Sequence, residues 1–151
     1  MISIYTDGSC LKNPGGPGGF SSILIKNDKV IKQSSGNMDN TTNNQMEIMA
    51  VLNGIQTAIQ CTQDKKLTIY SDSAYVINAF KQKWFLSWQK HGWTRKGKEL
   101  SNRFLWMWIY SLYSELIAKG YEINFIHVKG HSGIKYNEMA DKLAFKEACS
   151  I

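Results

Sequence analysis

Cysteine and proline are scarce in this chain, and one long stretch contains no acid at all. The three cysteines, Cys10, Cys61 and Cys149, are odd in number and widely spaced. That pattern fits neither a disulfide framework nor a zinc site, and implies free thiols in a reducing cytoplasm. The only prolines, Pro14 and Pro17, share one glycine-rich loop, so no linker divides the chain and a single domain over 1–151 is expected. No apolar run approaches the roughly 18 residues of a membrane span, and no charged-then-apolar N-terminal segment marks a signal peptide. What is present is globular in composition, with 43% hydrophobic and 20% charged residues.

The shortage of acid is local. Lysine and arginine total 18 against 12 acids, a net charge of +6. From Lys81 to Lys98 there are six cations (Lys81, Lys83, Lys90, Arg95, Lys96 and Lys98) and no carboxylate, so the rest of the chain balances at 12 against 12. An excess confined to one segment predicts a polyanionic partner bound there.

The apolar patterning gives an order of elements. Residues 2 to 6 read as a strand, and "LKNPGGPGG" (11–19) as a turn-rich loop. "FSSILIK" (20–26), a tight turn at "NDK" and a strand at 30–36 complete an antiparallel meander. From 41 to 60 the period changes: Met46, Ile48, Met49, Leu52, Ile55 and Ile59 fall at helical spacing, and Thr42 with Gln45 fits a capping box. "KLTIYSD" is a fourth strand, followed by a helical stretch from Ser73 to about Trp88 and a basic loop around Gly92 and Gly97. A long helix is expected from about Glu99 to Lys119, stopped by Gly120, then a fifth strand at 121–128 and a last helix at 135–148. Strands four and five, joined through helices, should be parallel. If strands one and four are neighbours, the sheet has a topological switch point there, where ligands bind beyond the strand ends.

Two similar phrases point at that place. "SIYTDGSC" (3–10) and "TIYSDSAY" (68–75) each carry an apolar run into an aspartate, Asp7 and Asp72. Taken singly, each is readily a turn or helix-cap residue, Glu47 a helix N-terminal acid and Asp141 a solvated one. Taken together, carboxylates at adjacent strand ends repel one another unless a cation joins them. Oxygen-only ligands suit Mg²⁺ or Mn²⁺ rather than zinc. One or two such ions would activate water and stabilise the leaving oxygen in phosphodiester hydrolysis, with no protein nucleophile needed. His131 lies in the glycine-bounded loop "VKGHSG", and an imidazole there is a candidate proton carrier.

"YTDGSC…NPG", "TTNNQMEIMA", "YSDSAYV" and "HVKGHSG…NEMADKLA" closely resemble, in order, the four blocks of a type 1 ribonuclease H. The resemblance covers essentially the whole chain. It implies an α/β ribonuclease H-like fold: a five-stranded mixed sheet, its first three strands antiparallel and strands one, four and five parallel, flanked by helices. It implies an endonuclease that cleaves the RNA strand of RNA/DNA hybrids and leaves 5′-phosphate and 3′-hydroxyl ends. By position, Asp7, Glu47, Asp72 and Asp141 would be ligands of Mg²⁺, with Mn²⁺ as a substitute, and His131 would assist proton transfer or product release. Gly8, Cys10, Asn13, Asn43 and Asn44 would meet the minor groove, where 2′-hydroxyls distinguish RNA from DNA. Thr42 and Asn102 fall where the family holds a DNA-strand phosphate. Ala74 and Gln45 depart from longer or basic side chains frequent in the family.

The segment "KQKWFLSWQKHGWTRKGK" would be the family's basic protrusion. Trp84, Trp88 and Trp93 could pack on sugar faces while cations such as Lys90, Arg95 and Lys96 neutralise phosphates. Read more plainly, its tryptophans reach the core and its lysines are merely solvated. The protrusion implies a monomer acting without a protein partner. A non-catalytic hybrid-binding module, a retroelement-derived domain and an integrase-like relative are the competing readings. The four acids, the protrusion and the "TTNNQME" block respectively weigh against them.

Overall fold

The computed structural model describes residues 1–150. Five strands form one sheet: β1 (Ile2–Cys10), β2 (Gly18–Lys26), β3 (Lys29–Met38), β4 (Lys66–Ser71) and β7 (Glu122–His127), in the order β3-β2-β1-β4-β7. β1 pairs antiparallel with β2, which pairs antiparallel with β3; β1, β4 and β7 are mutually parallel. The expected mixed sheet is therefore observed, with strands one and four as neighbours.

The registers show how the switch point arises. β1 stays paired with β2 from Ser3 to Cys10, but its pairing with β4 ends at Tyr5 opposite Tyr70. The first strand thus runs past Asp7 instead of stopping before it. Asp7 lies mid-strand on the β2 side, at the level where β4 has already parted from β1. A gap opens between parallel strands at their carboxyl ends, which is where a ligand can enter.

Helices cover both faces. On one lies α1 (Asn43–Cys61), with α2 (Ala74–Lys81), α3 (Trp84–Lys90) and α4 (Arg103–Ala118) beside it. α1 begins where predicted: Thr42 is its N-cap, and the Thr42 hydroxyl accepts from the Gln45 N–H at 3.1 Å. The Gln45 carboxamide completes no box, because its Oε1 accepts from the Thr41 hydroxyl instead. Ile48, Val51, Leu52, Ile55 and Ala58 bury the helix against Ile2, Ile4, Leu67 and Ile69 of the sheet. Gly54 allows the closest approach, since a Cβ there would stand 2.7 Å from the Ile4 methyl. α1 therefore lies tightly along β1 and carries Glu47, two turns earlier, to the level of Gly8. On the opposite face α5 (Lys135–Cys149) packs Ala140 with Ile23 and Ile25, while Tyr5, Tyr136, Met139 and Leu143 close the edges. No described helix is long and apolar enough to cross a membrane.

Two expected elements differ. The single helix from Ser73 to Trp88 is broken at Lys83, whose φ of 54° is left-handed, so α2 and α3 are separate. The long helix begins at Arg103 and not Glu99, because residues 94–95 and 98–99 pair as a minimal hairpin, β5 (Thr94–Arg95) and β6 (Lys98–Glu99). Periodicity could not reveal either change. The first is a backbone inversion at a residue type that rarely adopts one, and the second is a turn around Gly97, whose φ is 75°.

Candidate active site

Asp7, Glu47 and Asp72 converge at the switch point. Each offers a carboxylate oxygen, and the three lie within 4.8 Å of one another. Asp7 comes from the middle of β1, Glu47 from the second turn of α1, and Asp72 from the turn just after β4. Asp7 and Glu47 are buried and Asp72 is half-buried.

Glu47 is held at both oxygens. The Gly8 N–H donates to Oε1, and the Ser71 hydroxyl donates to Oε2 at 3.4 Å. The same Ser71 oxygen accepts from the Ser73 N–H at 3.0 Å, so one serine serves both Glu47 and the turn that carries Asp72. Gly8 has no alternative at its position. A Cβ there would stand 2.5 Å from the Glu47 backbone nitrogen and would also strike the Met46 carbonyl carbon.

The electrostatics are those of acids forced together. Burial pushes the Asp7 carboxyl far above the ordinary carboxylate range, and the charges of Glu47 and Asp72 push it further. Burial likewise raises Glu47, with the neighbouring Asp7 carboxyl partly opposing and Asp72 adding to the rise. Asp72 is raised mainly by burial, an effect that its contact with Asp7 partly offsets. Among the described residues no lysine or arginine forms an ion pair with any of the three. The donor set is all oxygen, and among the described residues no lysine or arginine balances it. It fits a hard divalent cation and not a thiophilic one.

Asp141, on α5, stands at the rim: its carboxyl is in hydrogen-bond reach of Asp7, outside the tight trio. Its Oδ2 is 3.9 Å from His131 Nδ1. His131 is 83% exposed and has a left-handed φ of 55°, so its ring stands free at the mouth of the site. Its loop is tied back by the Ser132 hydroxyl, which donates to the Lys129 carbonyl, and by the Gly133 N–H, which donates to Glu138 Oε1 at 3.2 Å.

The loop after β1 is organised around Cys10 and Asn13. The Cys10 thiol points at the carbonyl of Lys12 at 3.2 Å, and Asn13 Oδ1 accepts from the Asn43 N–H at 3.1 Å. Asn13, Thr42, Asn43 and Asn44 thus border one corner at the start of α1. Asn102, with a φ of 60°, precedes α4. The tryptophans are placed otherwise than as an exposed stacking row. Trp88 is buried, and Trp84 and Trp93 are half-buried against the main core. Trp88 packs at 5.2 Å on Trp106, Trp84 at 6.1 Å on Tyr75, and Trp93 at 5.7 Å on Tyr110. All six cations from Lys81 to Lys98 are exposed. The aromatic residues anchor the protrusion and the cations project from it, with a cleft of about 750 Å³ bordered by Asn44, Tyr75, Trp84, Arg95 and Lys96.

Sequence reasoning missed Ser71, His127 and Gly130. His127 Nε2 lies 3.2 Å from the Asp72 carbonyl, and Gly130 stands against the Asp72 carboxylate. Ser71 immediately precedes an acid already singled out, which is a usable signal. The other two are distant in sequence and signalled by nothing short of the β4–β7 register.

A carboxylate cluster at the switch point of a mixed sheet, flanked by an exposed cationic arm, defines a nuclease of the acid-cluster class. The RNase H family model matches residues 1–149. A ribonuclease H of Thermoanaerobacter sp. (strain X514) is 42% identical over 149 residues, covering 97% of this chain and 89% of that one. One of Nitratidesulfovibrio vulgaris (strain DP4) is 43% identical over 97% of this chain and 88% of its own. Among solved structures, LC9-RNase H1 superposes with a TM-score of 0.78 at 26% identity, over 98% of this chain and 72% of that one. LC11-RNase H1, solved with an RNA/DNA hybrid, shares the fold at 20% identity with a TM-score of 0.71, over 97% of this chain and 98% of its own. The chain belongs to the RNase H family. It is an enzyme of that class, an endonuclease acting on the RNA strand of RNA/DNA hybrids.

Proposed function

We propose that Asp7, Glu47 and Asp72, with Asp141 at the rim, hold one or two Mg²⁺ ions, with Mn²⁺ able to replace them, and that hydrolysis there leaves 5′-phosphate and 3′-hydroxyl ends. The observation that carries this reading is the trio of carboxylate oxygens within 4.8 Å of one another, with no lysine or arginine among the described residues paired to them. Bound Mg²⁺ supplies Lewis acidity toward the scissile phosphate and the attacking water. The protein's own contribution is positional. Gly8 and Ser71 fix both oxygens of Glu47, so the carboxylate is oriented before the substrate arrives. His131, exposed beside Asp141, takes up or delivers a proton at the product phosphate and helps it leave.

The corner formed by Gly8, Cys10, Asn13, Asn43 and Asn44 reads the 2′-hydroxyls of the RNA strand in the minor groove. With Asn13 Oδ1 occupied by the Asn43 N–H, the Asn13 amide NH₂ remains for the substrate. Thr42 and Asn102 take a phosphate of the DNA strand. The exposed Lys90, Arg95 and Lys96 neutralise further phosphates, while Trp84, Trp88 and Trp93 hold that arm in shape. The whole chain acts as one catalytic domain, a monomer in the cytoplasm. The test is cleavage of end-labelled RNA/DNA hybrid with Mg²⁺, beside duplex DNA, duplex RNA and single strands, with the product ends identified. Cleavage of the hybrid alone, lost in chelator, is expected; cleavage that persists in excess chelator refutes the metal site.

A further inference from the structure

Asp72 is the least buried member of the acid trio, and its carboxyl is in contact with that of Asp7. What surrounds it is the strand end and loop that follow it in space, residues 127–130. The Val128 N–H donates to the Ser71 carbonyl at 2.9 Å, extending the β4–β7 ladder beyond β7. The His127 ring meets the Asp72 carbonyl at 3.2 Å. Gly130 then closes on the side chain: a Cβ built there would stand 2.8 Å from Asp72 Oδ2, 3.4 Å from its Cβ and 3.5 Å from its Cγ.

Gly130 is not glycine for the sake of its own backbone. Its φ is outside the left-handed region, unlike that of Gly133 in the same loop, at 84°. An alanine is therefore admissible to the φ of the main chain at 130, and the three atoms nearest its Cβ all belong to the Asp72 side chain, with the carboxylate Oδ2 the tightest. The contrast with Gly8 is informative, because there the obstacles are the backbone of Met46 and Glu47, which cannot give way. At Gly130 the obstacle yields by rotating a carboxylate, which costs the fold little and the site its geometry.

We infer that Gly130, with His127, is a positioning device for Asp72: the missing side chain at 130 leaves the Asp72 carboxylate free to face the other two acids, and so sets the cation affinity. Because His131 is the next residue, the same contact ties the histidine loop to Asp72. The inference rests on the reading of Asp72 as a metal ligand, and the experiment separates the two.

Mg²⁺ and Mn²⁺ binding to the substrate-free protein is measured by calorimetry for wild type, Gly130→Ala, His127→Ala and Asp72→Asn, with denaturation midpoints in chelator. Gly130→Ala is expected to keep or raise the metal-free midpoint, as replacing glycine at a compatible backbone does. It should weaken cation binding at least about tenfold, the scale on which displaced ligand supports act. His127→Ala should weaken it less, in the same direction. In turnover, Gly130→Ala should raise the Mg²⁺ concentration for half-maximal rate and leave the KM for hybrid unchanged. Unaltered cation binding in Gly130→Ala, while Asp72→Asn loses it, overturns the positioning role and spares the ligand reading. Unaltered binding in Asp72→Asn overturns both. A metal-free midpoint that falls in Gly130→Ala also overturns the inference, since the packing at 130 would then be structural.

Discussion

Replacing Asp7 by asparagine should stabilise the metal-free protein while abolishing its activity. The substitution is nearly isosteric, and Asp7 uses its backbone, not its side chain, to pair with Ser21 of β2. What it removes is a buried carboxyl that must either hold a proton or face the charges of Glu47 and Asp72. Two unit charges 4.8 Å apart, the outer limit of the trio, repel by about 3.5 kcal/mol at an effective dielectric constant of about 20. The native protein avoids part of this by retaining protons, so about 2 kcal/mol is the expected gain near pH 8. For a chain of this size that is a rise of about 4–8 °C in Tm. The sign with pH follows from the raised carboxyls of Asp7, Glu47 and Asp72. Below the unfolded-state pKa of about 4, both folded and unfolded chains are protonated and wild type has its full stability. As pH rises above that, the unfolded chain releases protons that the folded cluster holds, and stability is progressively lost. The difference between Asp7→Asn and wild type should therefore be large at pH 8 and small near pH 4. Saturating Mg²⁺ should reverse the order, adding about 2.7 kcal/mol to wild type at a hundred times its dissociation constant and little to the variant. The assay is urea denaturation followed by circular dichroism, in chelator and in Mg²⁺, across pH. A variant less stable than wild type in chelator at pH 8, or a difference that grows toward pH 4, would refute the account of the cluster.

Gly8→Ala should behave in the opposite way, losing about 3 kcal/mol or more in urea denaturation whether or not cation is present. Its Cβ would stand 2.5 Å from the Glu47 backbone nitrogen, and overpacking against main chain has no cheap relief. Changing Lys90, Arg95 and Lys96 to alanine should weaken hybrid binding and reduce the slope of log affinity against log salt by about 2–3, since each phosphate contact contributes about 0.9. The metal-free midpoint should not move, because all three side chains are exposed; an unchanged salt slope would mean that the arm does not touch the substrate. His131→Ala should lower turnover by about 10²-fold or more, the usual contribution of a positioned acid or base. Its KM and stability should be unaffected, given a ring that is 83% exposed and removed from the core; an unchanged pH–rate profile would count against its proton-carrying role.

The sequence by itself determined the sheet and the identity of the acids. The apolar runs at 2–6 and 66–71 and the helical period of 41–60 are local signals, because they record which residues each element buries. The two Ile-Tyr-hydroxyl-Asp phrases were legible for the same reason: each is a parallel strand that buries its apolar run before reaching the same edge of the sheet. The helix break at Lys83 and the small hairpin at 94–99 were not legible, because backbone inversions leave no periodic trace. Nor could one dimension decide between the two readings of the tryptophans: Trp88 is buried against Trp106, while Trp84 and Trp93 are half-buried beside it. Only the tertiary structure decided which atoms meet in the site. Where β1 parts from β4 at Tyr5 and Tyr70 is a matter of register, and it places Asp7 mid-strand facing Glu47. That Gly130, 58 positions after Asp72, stands against its carboxylate follows from the pairing of β4 with β7. Sequence names the acids; only the packed fold fixes how close they come, and closeness is what makes three ordinary acids able to hold a cation.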